Sequence, residues 1–302
     1  MIQRARIGWV NDYAVGSHAG GSASTQARAL AFAPAGVEII MCTPETGVAD
    51  GCDLYVANNV GRFPKRDVLF LRDCGRTVWW PHDCTPPDWM TREHLVAPFA
   101  DAARRVVFLS PLQKDVMKRA FGVSVGKRRL RYAPCMVDPG PFLAQKTPAA
   151  ERPNDAFWMG TFEYHRSPRG ALLWAEENGI IIDFWGFGEP QPYLCQASHA
   201  RVCGQAAAAE VPGLMGQYRR LVYLPAEPVS YLGKEMTYCE ACGRTAVEAL
   251  LAGCEVVSNG FLGAASWPWF GAGRDAAANA MREAPGQFWQ MVMAAVGGDD
   301  DD

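Results

Sequence analysis

Two glutamates eight positions apart, Glu240 and Glu248, stand on either side of Gly243 in the stretch Glu240-Ala241-Cys242-Gly243-Arg244-Thr245-Ala246-Val247-Glu248. An apolar run, Leu221 to Leu224, precedes them. A loop that ends in glycine and opens a helix turns unpaired backbone N–H groups toward one point, and the helix dipole adds positive potential there. A diphosphate suits that arrangement, with Gly243, Arg244 and Thr245 as its neighbours. Glu248, inside the helix, can accept hydrogen bonds from a pair of ribose hydroxyls. Glu240, in the loop, can bind sugar hydroxyls. The same two acids on a surface helix would carry no chemistry, because exposed glutamates are common.

A second group lies in the N-terminal half. His82 and Asp83 follow the apolar run Thr77 to Trp80, and ligands of parallel α/β sheets bind at the carboxyl ends of strands. Asp12, His18, Gly20 and Gly21 follow the first apolar run, Ala5 to Val10, and offer an acid or base and a ligand contact in the same place. Between Arg104 and Arg131 nine basic residues face a single acid, Asp115. Lys127, Arg128, Arg129 and Arg131 are the densest part. They read either as a solvated surface or as a patch for phosphate or nucleic acid. Cys195, His199 and Cys203, with the pair Cys239 and Cys242, have spacings that zinc sites use. The second pair flanks Glu240, so reduced thiols are the expectation and no metal is expected.

These residues need elements to position them. Ala5 to Val10, Val37 to Met41, Asp53 to Ala57, Val68 to Leu71, Thr77 to Trp80 and Arg105 to Leu109 are short apolar runs that predict strands. Ala23 to Ala33 and Lys114 to Phe121 predict helices. The Pro-, Ala- and charge-rich stretch Gln145 to Asp155 predicts a linker. Alternation then restarts, with strands at Ala156–Met159, Ile180–Trp185, Arg220–Leu224 and Glu255–Ser258. Helices are expected at Arg169–Asn178, Gly243–Leu251 and Ala276–Val296. Short strands alternating with helices predict parallel sheets.

The 302 residues are enough for two domains, expected at 1–144 and 155–275, with the 276–296 helix packing back onto the first. Apolar residues make up 49% and charged residues 20%, and ten tryptophans and fourteen phenylalanines argue against disorder. No apolar run reaches the length of a membrane span and the N-terminus lacks a signal-peptide pattern, so a cytoplasmic protein without stable membrane insertion is expected. Ten cysteines fall short of a disulfide scaffold. The formal charge of −3 owes its sign to the tail Asp299 to Asp302; without it 29 bases meet 28 acids.

The order of these motifs resembles the retaining GT-B glycosyltransferases, family 4 in particular. Their second domain carries Glu-x7-Glu and an "EAL..G..V" passage, here Glu248-Ala249-Leu250-Leu251-Ala252-Gly253-Cys254-Glu255-Val256-Val257. Trp158-Met159-Gly160 resembles the first strand of the family's donor domain, and Phe184-Trp185-Gly186-Phe187-Gly188 its "G.G" strand end. Val107-Phe108-Leu109-Ser110, Lys114 and Phe121-Gly122 are similar to its "vSe..k..l...fG" passage, and Arg131-Tyr132-Ala133-Pro134-Cys135-Met136-Val137-Asp138 to its "vipngVD" crossing between domains. Thr161 follows Gly160 where the family has arginine, and Arg169-Gly170 stands where Lys-Gly is expected. Arg166 and Arg169 are therefore the candidates for the phosphate clamp.

The resemblance implies a GT-B fold, two Rossmann-like α/β domains facing a central cleft. It implies transfer of a sugar from a nucleotide-sugar donor, a UDP-sugar first, to an acceptor hydroxyl, with retention and without metal or cofactor. Gly20, Gly21, Gly160, Arg166, Arg169, Gly186, Gly243, Arg244, Thr245 and Glu248 would hold the donor. His82, Asp83 and Glu240 would act at the transferred sugar. Some viral GT-B enzymes glycosylate hydroxymethylated bases of DNA. With the basic run, that points to a hydroxymethylated pyrimidine in DNA, met by His18, Asp12, Lys127, Arg128, Arg129 and Arg131, with Trp79, Trp80 or Trp89 to stack on an extruded base. A saccharide, lipid or small-molecule acceptor is the alternative. A nucleotide-sugar epimerase or a non-catalytic sugar- or nucleic-acid-binding protein would share the architecture. A dinucleotide oxidoreductase is disfavoured, because no Gly-x-Gly-x-x-Gly follows the first strand.

Overall fold

The computed structural model describes residues 5–13, 21–84, 93–162, 168–225, 228–231 and 234–298. His18, Gly20, Trp89 and Arg166 lie outside the described residues.

Strand β1 (Ala5–Val10) buries every residue but Arg6, as a strand covered on both faces does. It pairs in parallel with β2 (Val37–Cys42) and β3 (Leu54–Ala57). With β4 (Thr77–Trp79), β5 (Arg105–Phe108) and β6 (Leu130–Tyr132) they form a parallel sheet of order β2-β1-β3-β4-β5-β6. The crossovers carry α1 (Gly21–Ala31), α2 (Lys65–Asp73), α3 (Glu93–Ala102) and α4 (Pro111–Phe121).

Local chemistry explains the ends of α4. The Ser110 hydroxyl accepts from the Gln113 N–H, Pro111 occupies the first turn, and Gly122 closes the helix at φ +69°. The strand expected at Val68 to Leu71 is instead the middle of α2. Val68 and Leu71 stand three apart on one helical face and are buried there, and a four-residue apolar run does not distinguish the two periods.

The second sheet comprises β7 (Asn154–Thr161), β8 (Ile182–Phe187), β9 (Ala200–Gly204) and β10 (Tyr218–Tyr223). A separate antiparallel hairpin follows, β11 (Pro228–Tyr231) with β12 (Lys234–Thr237). Strand β13 (Glu255–Ser258) completes the parallel order β13-β10-β7-β8-β9. The helices of this half are α5 (Pro139–Leu143), α6 (Pro168–Asn178), α7 (Pro192–Gln196), α8 (Val211–Met215), α9 (Arg244–Leu251) and α10 (Pro268–Gly271), before the long terminal α11 (Arg274–Gly297).

The chain divides into two compact units, Met1–Met136 with Glu283–Asp302, and Val137–Arg282. In the first, the late residues of α11 complete an aromatic core. Phe288 lies 4.2 Å from Trp80 and 6.1 Å from Trp9, ring centre to ring centre, and the Trp289 indole N–H donates to the Ala29 carbonyl at 2.6 Å. In the second, the stretch expected as a linker is fastened rather than loose. Arg152 is 2% exposed and donates to the carbonyls of Thr147, Tyr218 and Ala252, which ties the start of β7 to β10 and to the end of α9. No helix among the described residues is long and apolar enough to cross a membrane.

Candidate functional site

The carboxyl ends of β7, β8 and β10 lie at one edge of the second sheet, where α6 and α9 begin. Gly243 caps α9 at φ +81°, and a Cβ there would run into the Leu262 side chain, so both backbone and space require glycine. Gly243, as the N-cap residue, brings no side chain of its own to cap the helix. The Gly243 carbonyl accepts from the Ala246 N–H at 3.0 Å, and the positive end of the helix dipole lies at this turn.

Glu240 is held on both sides of its backbone. Its N–H donates to the Phe261 carbonyl at 2.9 Å and its carbonyl accepts from the Gly263 N–H at 2.8 Å. Its side chain is held too: Oε2 accepts from the hydroxyls of Tyr223 at 2.8 Å and Tyr238 at 3.0 Å. Neither tyrosine is among the site residues expected from the sequence. Tyr223 ends an apolar strand and Tyr238 stands two residues before Glu240, which is the only hint the sequence offers.

Glu248 is 8% exposed, and burial raises its carboxyl above the usual range against the pull of Arg244. Arg244 Nε donates to Glu248 Oε1 at 2.6 Å, four residues apart on the helix. Arg244 Nη1 is buried without a hydrogen-bond partner among the described residues. A buried, unsatisfied guanidinium nitrogen at a helix N-terminus is a donor in want of a ligand acceptor.

Gly160 and Gly186 are register partners near the ends of β7 and β8. A Cβ on Gly186 would sit 2.5 Å from the Gly160 carbonyl and 2.9 Å from the Phe162 ring; one on Gly160 would sit 3.1 Å from the Trp158 ring. Packing alone thus demands glycine at 186 and leaves little room for a side chain at 160. Arg169 is the second residue of α6 and exposed, while Gly170 lets α6 approach the Leu224 carbonyl, 2.9 Å from where a Cβ would be. Thr245 is the second residue of α9.

In the first unit, the ends of β1, β3 and β4 gather Asp12, Asn58, Asn59, His82 and Asp83. Asp12 is buried and accepts from the N–H groups of Gly61 at 3.1 Å and Arg62 at 2.9 Å, so it staples a loop. The Asn58 amide nitrogen donates to the Val10 carbonyl at 3.2 Å, which aims its oxygen at His82 Nε2, 3.1 Å away. Nε2 therefore carries the proton and Nδ1 the lone pair. Burial pushes the His82 imidazole down to about 3, so it is neutral. Asp83 accepts from the Asn59 amide at 3.3 Å. Gln113 clamps this loop, donating to the carbonyls of Pro81 at 2.9 Å and Asp83 at 3.1 Å and accepting from the Leu109 N–H at 2.6 Å. Gly21 opens α1 after β1.

The basic run lies elsewhere. Lys127 and Arg128 are exposed and, with Arg104, line a groove of about 570 Å³. That groove sits where β5 and β6 begin, the opposite edge of the sheet from His82. Arg129 donates to the carbonyls of Ala100, Asp101 and Ala103 and so caps α3. Arg131 donates to the carbonyls of Arg128 and Leu130, and Arg105 is buried on the Met291 carbonyl. Trp79 and Trp80 are fully buried in the core, which removes them as stacking partners for a base. The indoles are taken up by the core and the Arg129 guanidinium by carbonyls distant in sequence, whereas Arg131 bonds carbonyls within three residues of itself. Among the described residues no three His, Cys, Asp or Glu side chains converge as a metal site.

No protein-family profile matches the sequence, and no curated protein does. Solved structures match over nearly the whole chain. Sucrose-phosphate synthase from Thermosynechococcus elongatus superimposes with a TM-score of 0.63 at 16% identity, covering 97% of this chain and 94% of the other. HepE from Anabaena, solved with UDP-glucose, gives 0.60 at 15% identity, with 97% and 99% covered. An α-glucosyltransferase in complex with UDP and a 13-mer DNA containing an HMU base gives 0.54 at 11% identity, with 97% and 94% covered. The fold is therefore GT-B, α/β with two parallel sheets: the alternation of elements led one to expect the sheets, and the family resemblance the GT-B fold.

Proposed function

We propose that the protein is a glycosyltransferase that takes a sugar from a nucleotide-sugar, UDP-glucose or a close relative, and passes it to an acceptor hydroxyl. The observation that carries this is the glycine-capped N-terminus of α9, with the Nη1 of Arg244 unsatisfied among the described residues beside buried Glu248. A diphosphate accepts from the helix N–H groups and from Arg169, and the vicinal ribose hydroxyls donate to Glu248. Sugar hydroxyls donate to Glu240, whose orientation two phenols fix. Charge developing on the departing diphosphate meets donors that are already in place, which is where such sites derive most of their rate. The reading needs no metal and no cofactor, and it favours retention. The neighbours solved with UDP or UDP-glucose support it.

Neutral His82, with its lone pair on Nδ1, suits a hydrogen bond from a substrate hydroxyl rather than proton relay at neutral pH. We take a hydroxymethylated pyrimidine of DNA as the acceptor reading, with a saccharide, lipid or small molecule as its alternative. It draws on the neighbour solved with DNA and on exposed Lys127 and Arg128. The position of those bases at the far sheet edge makes them phosphate contacts at most, remote from His82. The test is UDP release from UDP-glucose, UDP-galactose and UDP-N-acetylglucosamine, alone and with acceptors. The panel contains hydroxymethyluracil DNA, unmodified DNA and a set of saccharides. Slow release from one donor, accelerated by one acceptor class, is expected. Interconversion of donors without UDP release would mark an epimerase, and binding without release a non-catalytic protein.

A further inference from the structure

The second unit has another concavity, a groove of about 630 Å³ lined by β8, β9 and the segment that carries α8. Asp183, the second residue of β8, lies three residues, about 10 Å, before Gly186 along the strand. Its side chain is 4% exposed. A carboxylate buried to that degree is costly unless it is paired and hydrogen-bonded. The Tyr218 hydroxyl donates to Asp183 Oδ2 at 2.6 Å, and the Arg201 guanidinium reaches the same oxygen from the neighbouring strand. The Trp185 indole N–H donates to the Tyr218 hydroxyl at 3.0 Å. One chain of bonds thus fixes an indole, a phenol, a carboxylate and a guanidinium around one cavity. The Arg201 side chain remains 62% exposed, and exposed Glu210 lines the groove as well.

The chemistry narrows the ligand. Arg201 is offset by Asp183 and Glu210, so the groove has no excess positive charge for a phosphate. An apolar ligand would strip water from a guanidinium and a carboxylate and return nothing. A pyranose meets both demands, with C–H groups against the indole and adjacent hydroxyls bridging planar charged groups. A cavity of this size is in the ordinary range for small-molecule sites, about 300–1,000 Å³. A second cavity of about 380 Å³ is also lined by Asp183 and Arg201, so a ligand of more than one ring can use both. We propose that this groove is a binding site for a neutral oligosaccharide, distinct from the nucleotide-sugar site.

The experiment is saturation-transfer NMR of the full chain with maltotriose and with cellotriose, with and without excess UDP. Transfer to ring protons of at least one sugar, undiminished by UDP, is expected. Gly213→Phe should weaken that sugar at least tenfold, because nothing lies within 4 Å of a Cβ at this groove-lining position and a ring can fill the space. Arg201→Ala should weaken it similarly, while UDP binding and thermal unfolding of Gly213→Phe match the parent. The proposal is overturned by no transfer to either sugar, by loss of the signal on adding UDP or inorganic phosphate, or by full binding in both variants. The sugar titration requires no donor, so it reads separately from the failure of nucleotide-sugar binding.

Discussion

The hydroxyl of Tyr223, the last residue of β10, donates to Oε2 of Glu240 at 2.8 Å. The strand end thereby sets the orientation of a carboxylate on the loop that opens α9, and Tyr238 adds a second bond from within the loop. Tyr223→Phe removes a hydrogen bond to a charged acceptor, about 1.5–3 kcal/mol. A drop of about ten- to a hundredfold in kcat, with KM for the nucleotide-sugar changed less than threefold, is expected. Glu240→Gln should behave alike and more severely. Wild-type kcat in both variants would remove Glu240 from turnover.

Glu248 makes a stability prediction with a definite sign. Burial raises its folded-state carboxyl, so the folded protein favours the protonated form. That contribution is complete below the unfolded value and is lost as pH rises through the folded one. Glu248→Gln should therefore be more stable than the parent at pH 7 and equal to it near pH 4, while binding UDP more weakly. Thermal unfolding at the two pH values checks the first part. A variant less stable at pH 7 by the same margin as at pH 4 would contradict it.

His82 runs the other way. Its folded value of about 3 lies below the ordinary 6.5, so the unfolded chain takes up a proton that the folded one refuses. Stability is then lost as pH falls from 6.5 toward 3, about 1.4 kcal/mol per unit from this one group. His82→Gln should flatten urea midpoints between pH 6.5 and pH 4. An unchanged slope would show that the imidazole is solvated.

Gly186→Ala should destabilise the protein by about 1–3 kcal/mol, because the new methyl would meet the Gly160 carbonyl and the Phe162 ring. The loss should appear in chemical unfolding with UDP absent. A loss confined to nucleotide affinity would instead place the glycine against the ligand and not in the packing.

The alternation of strands and helices and the helix behind Gly243 were legible because each is a local pattern of a dozen residues or fewer. Val68 to Leu71 was misread because four apolar residues do not define a period. What the sequence hid is non-local. His82 is neutral because Trp80 packs 4.5 Å from its ring and Asn58, 24 residues away, orders its proton. The Arg129 guanidinium is taken up by three carbonyls 26 to 29 residues earlier, two at the end of α3 and one just past it. The Tyr223–Glu240 bond spans 17 residues and a hairpin. Sequence spacing does show that a basic run exists, but not at which end of a sheet it falls.

The central claim is a nucleotide-sugar site at the start of α9, and calorimetric titration of UDP into the parent protein, Arg169→Ala and Glu248→Ala tests it most directly. The account predicts one UDP per chain in the parent and at least tenfold weaker binding in each variant, with thermal unfolding still cooperative. No UDP binding to the parent, or parent-like affinity in both variants, would contradict it.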